Sequence, residues 1–455
     1  VTRLAIHLND AGITLSDGER IAYREPGFAW LGDDKLTTGN EAFTHSRIDP
    51  RRIQHRFWSD LTTTPLADNR FSHLSAADLA SRQLEAVRRA VGGEVSELVV
   101  AVPAYMASEN LGLFLGITAE LQFPVVGMVD AAVAASRREF QGAVPVHIDL
   151  SLHQASLTRL AQPSMAQSDR SEIVRGAGVY ALYDLWLSAV AEAFVQQSRF
   201  DPLHTAESEQ TLLNNLGGWL AEASRADSVS MEIESGGRRY AAEVDSLALI
   251  GAAAPVYQQI ASMLRSFFRA EDLPAIQVTD RVARMPGLTD HLKARVGGEI
   301  FMLEPGATAR GAIARCRRGS DSGTGVSLLR QLPWDQAAVD MGAHSVDTSH
   351  AGVPTHLLHG HTAHEIGHSP LIMGSQDGGE SHFIALSADM PGVSRRHCSV
   401  AHKNGQCVLE DHSRYGTFLN GHRIDGSSVL QVGDTLRIGS PGFEFHLITT
   451  DTSHG

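Results

Sequence analysis

Cysteine is scarce in this chain: Cys316, Cys398 and Cys407 are the only three, and none forms a CxxC pair. That excludes a disulfide framework and implies reduced thiols of the kind a cytoplasmic protein keeps. Basic residues are outnumbered, 38 against 52 acidic, for a net charge of -14. Such a surface repels phosphate backbones, so nucleic acid and anionic membrane are poor candidate partners. No uninterrupted apolar run reaches membrane-spanning length. Residues 1–12 break their apolar stretch with Arg3, His7, Asn9 and Asp10, unlike a signal peptide. The expected localisation is therefore cytoplasmic. Low-complexity tracts and short-period repeats are also missing. The 455 residues that remain to be explained, 43% hydrophobic and 20% charged, suffice for two or three domains with buried cores.

The first ~315 residues alternate strand and helix patterns, as in an α/β architecture. Ser75 and Asp78 read as a capping box before Leu79, Leu84, Val87 and Val91 at helical spacing. Leu98-Val99-Val100-Ala101-Val102 is a continuous apolar run suited to a strand buried on both faces. A helix over 108–121, a strand over 125–129 and a helix over 131–140 follow. A strand over 144–150 then leads through 151–154 into another ending near Leu160. The pattern predicts long helices over 176–198, 206–225 and 245–269, with Ser235-Gly236-Gly237 as a hairpin turn. Gly and Ser crowd 315–325, and 326–352 show little periodicity, which reads as a linker over 317–353. From Pro354 short strands alternate with Gly, Asp and Ser, the pattern of a β-sandwich.

The most specific motif is Val393-Ser394-Arg395-Arg396-His397, followed by Ser413-Arg414-Tyr415-Gly416-Thr417-Phe418-Leu419-Asn420-Gly421 and then Val432-Gly433-Asp434. This ordered set resembles the forkhead-associated (FHA) family over residues 354–448. The resemblance implies an all-β sandwich and a protein partner, threonine-phosphorylated where the phosphate site is retained. Phosphate needs charge-assisted donors. Ser394 and Arg395 match the family's serine loop, and Arg396 adds charge. The family's Gly-Arg pair reads Gly374-Ser375 here, which removes a bidentate clamp, and its Asn-Gly-Thr reads Tyr415-Gly416-Thr417. The partner-binding candidates are Ser375, Ser394, Arg395, Arg396, Arg414 and Tyr415. His397, Thr417 and Asn420 fit scaffold positions.

Upstream, Leu98-Val99-Val100-Ala101-Val102-Pro103-Ala104-Tyr105 and Val129-Asp130-Ala131-Ala132-Val133-Ala134-Ala135 stand in order with Pro305-Gly306-Ala307-Thr308-Ala309-Arg310-Gly311-Ala312. Over residues 1–316 these segments resemble the nucleotide-binding domain of the seventy-kilodalton heat-shock chaperones, within the actin-like ATPase superfamily. The resemblance implies a two-lobed α/β fold with glycine-rich phosphate loops and acids that hold Mg²⁺ through water. The first loop reads His7-Leu8-Asn9-Asp10-Ala11 instead of Asp-Leu-Gly-Thr-Thr. The second reads Asp149-Leu150-Ser151-Leu152-His153-Gln154 instead of Asp-Leu-Gly-Gly-Gly-Thr. Asp280-Arg281-Val282 replaces the adenosine loop's Gly-Gly-Ser. No lysine stands near Arg56–Asp60, and Asp130 replaces a glutamate. Each lost glycine puts a Cβ where a phosphate oxygen should approach. His7, Asn9, Asp10, Asp130, Asp149, Ser151, Asp280 and Arg281 are thus remnants of a nucleotide site, with no catalytic residue, no metal and no cofactor expected; ATP with Mg²⁺ is the one cofactor the resemblance would supply.

Two local patterns lead elsewhere. His364-Glu365-Ile366-Gly367-His368 matches HExxH, but that zinc chemistry needs a stable helix, and the segment falls where the first sandwich strands should pair. Gly176-Ala177-Gly178 reads as a closely packed helix start. The reading is a non-enzymatic adaptor, a pseudo-ATPase platform carrying a recognition module. The alternative is a divergent ATP-binding chaperone-like or actin-like ATPase regulated through its FHA domain.

Overall fold

The computed structural model describes residues 2–335 except 34, 92 and 317–325, and residues 353–449 except 360–361, 377–381, 387–391, 404, 415, 420–421, 425, 433 and 440–441. The chain divides into two units, residues 1–137 with 144–335, and residues 138–143 with 336–455. The first is mixed α/β and the second contains a β-sandwich.

In the first unit, β1 (Thr2–His7), β2 (Ile13–Ser16) and β3 (Ile21–Glu25) form an antiparallel meander. On the other side of β1, β4 (Val95–Val102) and β5 (Val125–Asp130) add in parallel. The same arrangement recurs later in the chain. Strands β6 (Val144–Leu150), β7 (Gln154–Ala161) and β8 (Met165–Arg175) form a second meander. Strands β9 (Pro274–Val278) and β10 (Glu299–Met302) extend it in parallel from β6. Both sheets thus run 3-2-1-4-5 in their own strand order.

Residues 98–102 are buried along their whole length, as a run with no polar alternation requires. Helix α1 (Ala76–Val91) begins at the capping box: the Asp78 carboxylate accepts from the Ser75 backbone N–H at 2.7 Å, and the Ser75 hydroxyl accepts from the Asp78 N–H at 3.3 Å. Ser75→Ala should cost about 1 kcal/mol in a denaturation curve. Helix α2 (Ser108–Glu120) sits where expected. Helix α3 is shorter than the sequence suggests, Ala131–Ala135 rather than 131–140. The reason lies far along the chain. The Arg315 guanidinium donates to the carbonyls of Val133 (2.8 Å), Ala134 (2.6 Å) and Ser136 (2.9 Å), satisfying the helix's open end.

The second sheet is covered by α4 (Val179–Ser198), α5 (Ala206–Ala223), α6 (Ser246–Arg265) and α7 (Leu288–Val296), which share one core with Val146, Ile148 and Leu157. Helix α6 is long and apolar enough to cross a membrane by length and composition, although Gln258 and Gln259 interrupt its apolar run. Its Leu249, Val256, Tyr257, Ile260 and Leu264 are nonetheless buried in that core. The hairpin of 228–235 and 238–245 turns at Gly236 and Gly237 as read, both at positive φ. Helix α4 starts after Gly178, where a Cβ would lie 2.4 Å from the Leu152 carbonyl oxygen. Helix α8 (Ala307–Arg315) crosses α3 so closely that a Cβ on Gly311 would stand 1.8 Å from the Ala134 carbonyl oxygen. Residues 326–335, within the stretch read as linker, belong to the first unit: β11 (Leu328–Leu329) pairs with β5, and β12 (Gln331–Pro333) with β8.

In the second unit one sheet holds β13 (His356–His359), β14 (Thr362–Glu365), β19 (Thr417–Leu419), β20 (His422–Arg423), β22 (Thr435–Ile438) and β23 (Phe443–Ile448), in the order β14-β13-β23-β22-β19-β20. The other holds β15 (Leu371–Gly374), β16 (Phe383–Ala385), β17 (Cys398–Lys403), β18 (Gln406–Asp411) and β21 (Ser427–Leu430), in the order β16-β15-β17-β18-β21. Leu357, Met373, Cys398, Val400, Leu409, Leu436, Phe445 and Leu447 fill the space between them. His364 and Glu365 of the HExxH pattern sit on a strand paired with His356–His359, so they cannot share a helix face.

Candidate functional site

In the sandwich, the sequence candidates converge on one set of loops. The Ser375 N–H donates to the Ser394 carbonyl at 3.1 Å and the Gln376 N–H to that of Arg395 at 3.2 Å. Only glycine fits at 374, where a Cβ would lie 2.0 Å from the Arg395 carbonyl oxygen. The Arg414 N–H donates to Ser394 Oγ at 3.2 Å, bringing the third loop against the serine. Among the described residues no hydrogen bond uses the Ser394 hydroxyl's own proton, and the exposed Arg395 and Arg414 guanidinia have no acidic partner. Arg396 is exposed beside them. Tyr415 and Asn420 lie outside the described residues.

Buried groups set these loops. His397 is fully buried; its Nδ1 accepts from the Ser394 N–H at 3.1 Å, which leaves Nε2–H to donate to the Gly416 carbonyl at 3.3 Å. Burial lowers its pKa, which keeps the ring neutral in this role. The Thr417 hydroxyl donates to Asp411 at 2.7 Å, and the Ser413 N–H to the same carboxylate at 3.0 Å. Burial alone would raise the Asp411 carboxyl; Thr417 and Ser413 hold it below its ordinary value.

In the first unit, the three loops singled out in the sequence meet. Asp149, at the end of β6, is buried, as are His7, Asn9, Asp10, Ser151 and Arg281 around it. Asn9 Nδ2 donates to Asp149 Oδ2 at 2.6 Å and to the Leu150 carbonyl at 3.0 Å. Arg281 Nη1 donates to Asp149 Oδ1 at 3.2 Å and to the Leu150 carbonyl at 3.0 Å, and Nη2 reaches the Gly12 carbonyl at 3.4 Å. Thr279 supplies another donor to Asp149 at 2.8 Å. Asp10 accepts the Leu152 N–H at 2.7 Å, and the Ser151 carbonyl accepts the Val179 N–H of α4. Asp280 is held by Arg24 at 2.8 Å and Arg284 at 2.5 Å. Asp130 stands apart from this knot: it caps α3, accepting the N–H groups of Ala132 (2.9 Å) and Val133 (3.2 Å).

The electrostatics follow from burial. Burial alone would raise the Asp149 carboxyl, and Arg281, then His7 and His147, hold it below its ordinary value. Burial lowers His7 to about 4 despite Asp149, and raises Asp10 to about 6. His7 Nε2, 3.6 Å from Asp149 Oδ2, and Asp10 Oδ2 are buried without a hydrogen-bond partner among the described residues. The cavity bounded by His7, Asp149, Thr279, Arg281 and the start of α8 measures about 20 Å³, space for one water. The sequence singled out the three segments that meet here. It missed the pairing of Arg24 with Asp280, which nothing local in the sequence signals.

The family model of the FHA domain matches residues 372–439, which span the three converging loops. No curated protein matches the chain. The sandwich is an FHA domain, and FHA domains are protein-interaction modules that recognise phosphorylated partner segments through Arg-bearing loops.

Proposed function

We propose that this protein is a non-enzymatic adaptor. Its FHA domain holds a threonine-phosphorylated protein partner, and its first unit is an actin-like, chaperone-related platform that has lost its nucleotide site. The observation that carries the first half is that the Ser394 hydroxyl accepts the Arg414 N–H, which brings two exposed arginines, Arg395 and Arg414, with no acidic partner among the described residues, onto the loops that meet at this serine. A free hydroxyl proton and two cations supply the charge-assisted donors that a phosphate dianion needs without the arginine that Ser375 replaces.

Two features support the platform half. The same 3-2-1-4-5 sheet order occurs twice, as a duplicated two-lobed fold would have it. The loops that should cradle phosphates are instead filled by Arg281 and Asn9, each bonded to Asp149. A nucleotide phosphate would have to displace a buried ion pair.

The test has two arms on the full-length protein. A degenerate peptide library centred on phosphothreonine should bind in fluorescence anisotropy, while its unphosphorylated counterpart should not. Arg395→Ala with Arg414→Ala should weaken that binding at least about tenfold. Equal binding of the two libraries would end the phosphate reading. In calorimetry, Mg-ATP and Mg-ADP should give no binding heat; micromolar binding would replace the platform reading with a nucleotide-driven one.

A further inference from the structure

A second opening in the first unit, of about 540 Å³, shares no lining residue with the small cavity at Asp149. Its volume lies in the range of small-molecule sites. Its lining includes Arg56 and Asp60, from the segment after residue 55, together with His153 at the β6–β7 turn, Arg175 at the end of β8 and Tyr180 in the first turn of α4.

The arginines set its character. The chain has fewer basic than acidic residues, 38 against 52, and Arg24, Arg47, Arg52, Arg281 and Arg284 all sit on carboxylates. Arg56 and Arg175 are exposed and have no acidic partner among the described residues. Part of the lining is a set of packed rings. The Tyr180 ring stacks on His55 at 4.7 Å, His55 Nδ1 is hydrogen-bonded to His153 Nε2 at 2.9 Å, and the Arg47 guanidinium lies over Tyr180 at 5.4 Å. Arg47 is itself bound to Asp184, which leaves Asp60 as the one lining carboxylate without a basic partner among the described residues, against the two cations Arg56 and Arg175.

We propose that this opening binds a small organic oxyanion, with the charged group held by Arg56 and Arg175 and the body lying along Tyr180. The site goes beyond the adaptor reading: His153 and Gln154 at the end of the second altered loop and the Arg56–Asp60 segment line it, and it gives the platform a small-anion ligand in place of a nucleotide. Because its walls come from both halves of the unit, an occupant would tie them together.

The test uses the full-length protein and tryptophan fluorescence melts at constant ionic strength. The probes are inorganic phosphate, a hexose bisphosphate and citrate at millimolar concentration, with sodium chloride and the free hexose as controls. At least one oxyanion should raise the melting temperature by about 4 °C near saturation. Phosphate-type and carboxylate-type ligands are distinguished by which probe acts. Arg56→Ala with Arg175→Ala should melt like the parent protein without probe, since both side chains are exposed, and should lose the shift. Arg56→Gln and Arg175→Gln singly should each weaken binding about tenfold in calorimetry. No shift beyond the salt control with any probe, or an equal shift in the double variant (an adventitious ion only), overturns the proposal.

Discussion

Arg281→Ala should destabilise the first unit by about 3–5 kcal/mol, because it strands a buried carboxylate. Asp149 is 5% exposed and Arg281 8%, so water cannot replace the guanidinium. The substitution also leaves the Leu150 and Gly12 carbonyls without this donor. Asn9 and Thr279 still donate to Asp149, which caps the loss but does not neutralise the charge. All five tryptophans, Trp30, Trp58, Trp186, Trp219 and Trp334, lie in the first unit, so their fluorescence reports its unfolding alone. The melting temperature should fall by roughly 8 °C or more. Adding Asp149→Asn to Arg281→Ala should recover part of the loss, because the charge is then gone while hydrogen-bonding capacity remains. If Arg281→Ala stays within about 1 kcal/mol of the parent protein, the ion pair is not what holds these loops.

Arg281 also shows where sequence reading stopped. The sequence marks the segments around 7–11, 149–154 and 280–282; it does not reveal that the Arg281 side chain turns back across them onto Asp149. The same limit applies at α3, whose end is set by Arg315 more than a hundred residues away, so local helix-forming alanines overstate its length. Residues 328–333 looked like linker because strands of two and three residues are too short to display a period, even though Leu332 is buried. What was legible has a local cause. The run 98–102, the Ser75–Asp78 cap and the Gly236-Gly237 turn each carry their instructions within a few residues. The FHA loops were legible because Ser394, His397 and Gly416 must each occupy a fixed place for the loops to meet. The 540 Å³ opening was not, since its lining comes from separate segments with no common pattern.

Acid should unfold the first unit from pH 6.5 downward, well before the carboxylates as a class are protonated. His7, His55 and His147 all have pKa values lowered to about 4, each chiefly by burial. Each therefore takes up its proton more readily in the unfolded chain. The unfolded state binds more protons between pH 6.5 and about 4, so stability falls as pH drops through that window. Asp10 works the other way: burial raises it to about 6, so it favours the folded state as pH falls from 6 toward 4. Burial raises Asp130 as well, in the same sense as Asp10; three histidines outweigh the two aspartates even after discounting His55, which is only half-buried. The net loss at pH 4 relative to pH 7.5 should be on the order of 3–7 kcal/mol. Urea unfolding followed by tryptophan fluorescence at steps between these pH values measures it. His147→Gln should flatten the slope by about one proton, since its ring lies within β6 with Nε2 unpartnered among the described residues. Stability that is flat or rising from pH 7 to 5 would mean that these rings are not buried as neutral groups, and that the knot around Asp149 is open to water.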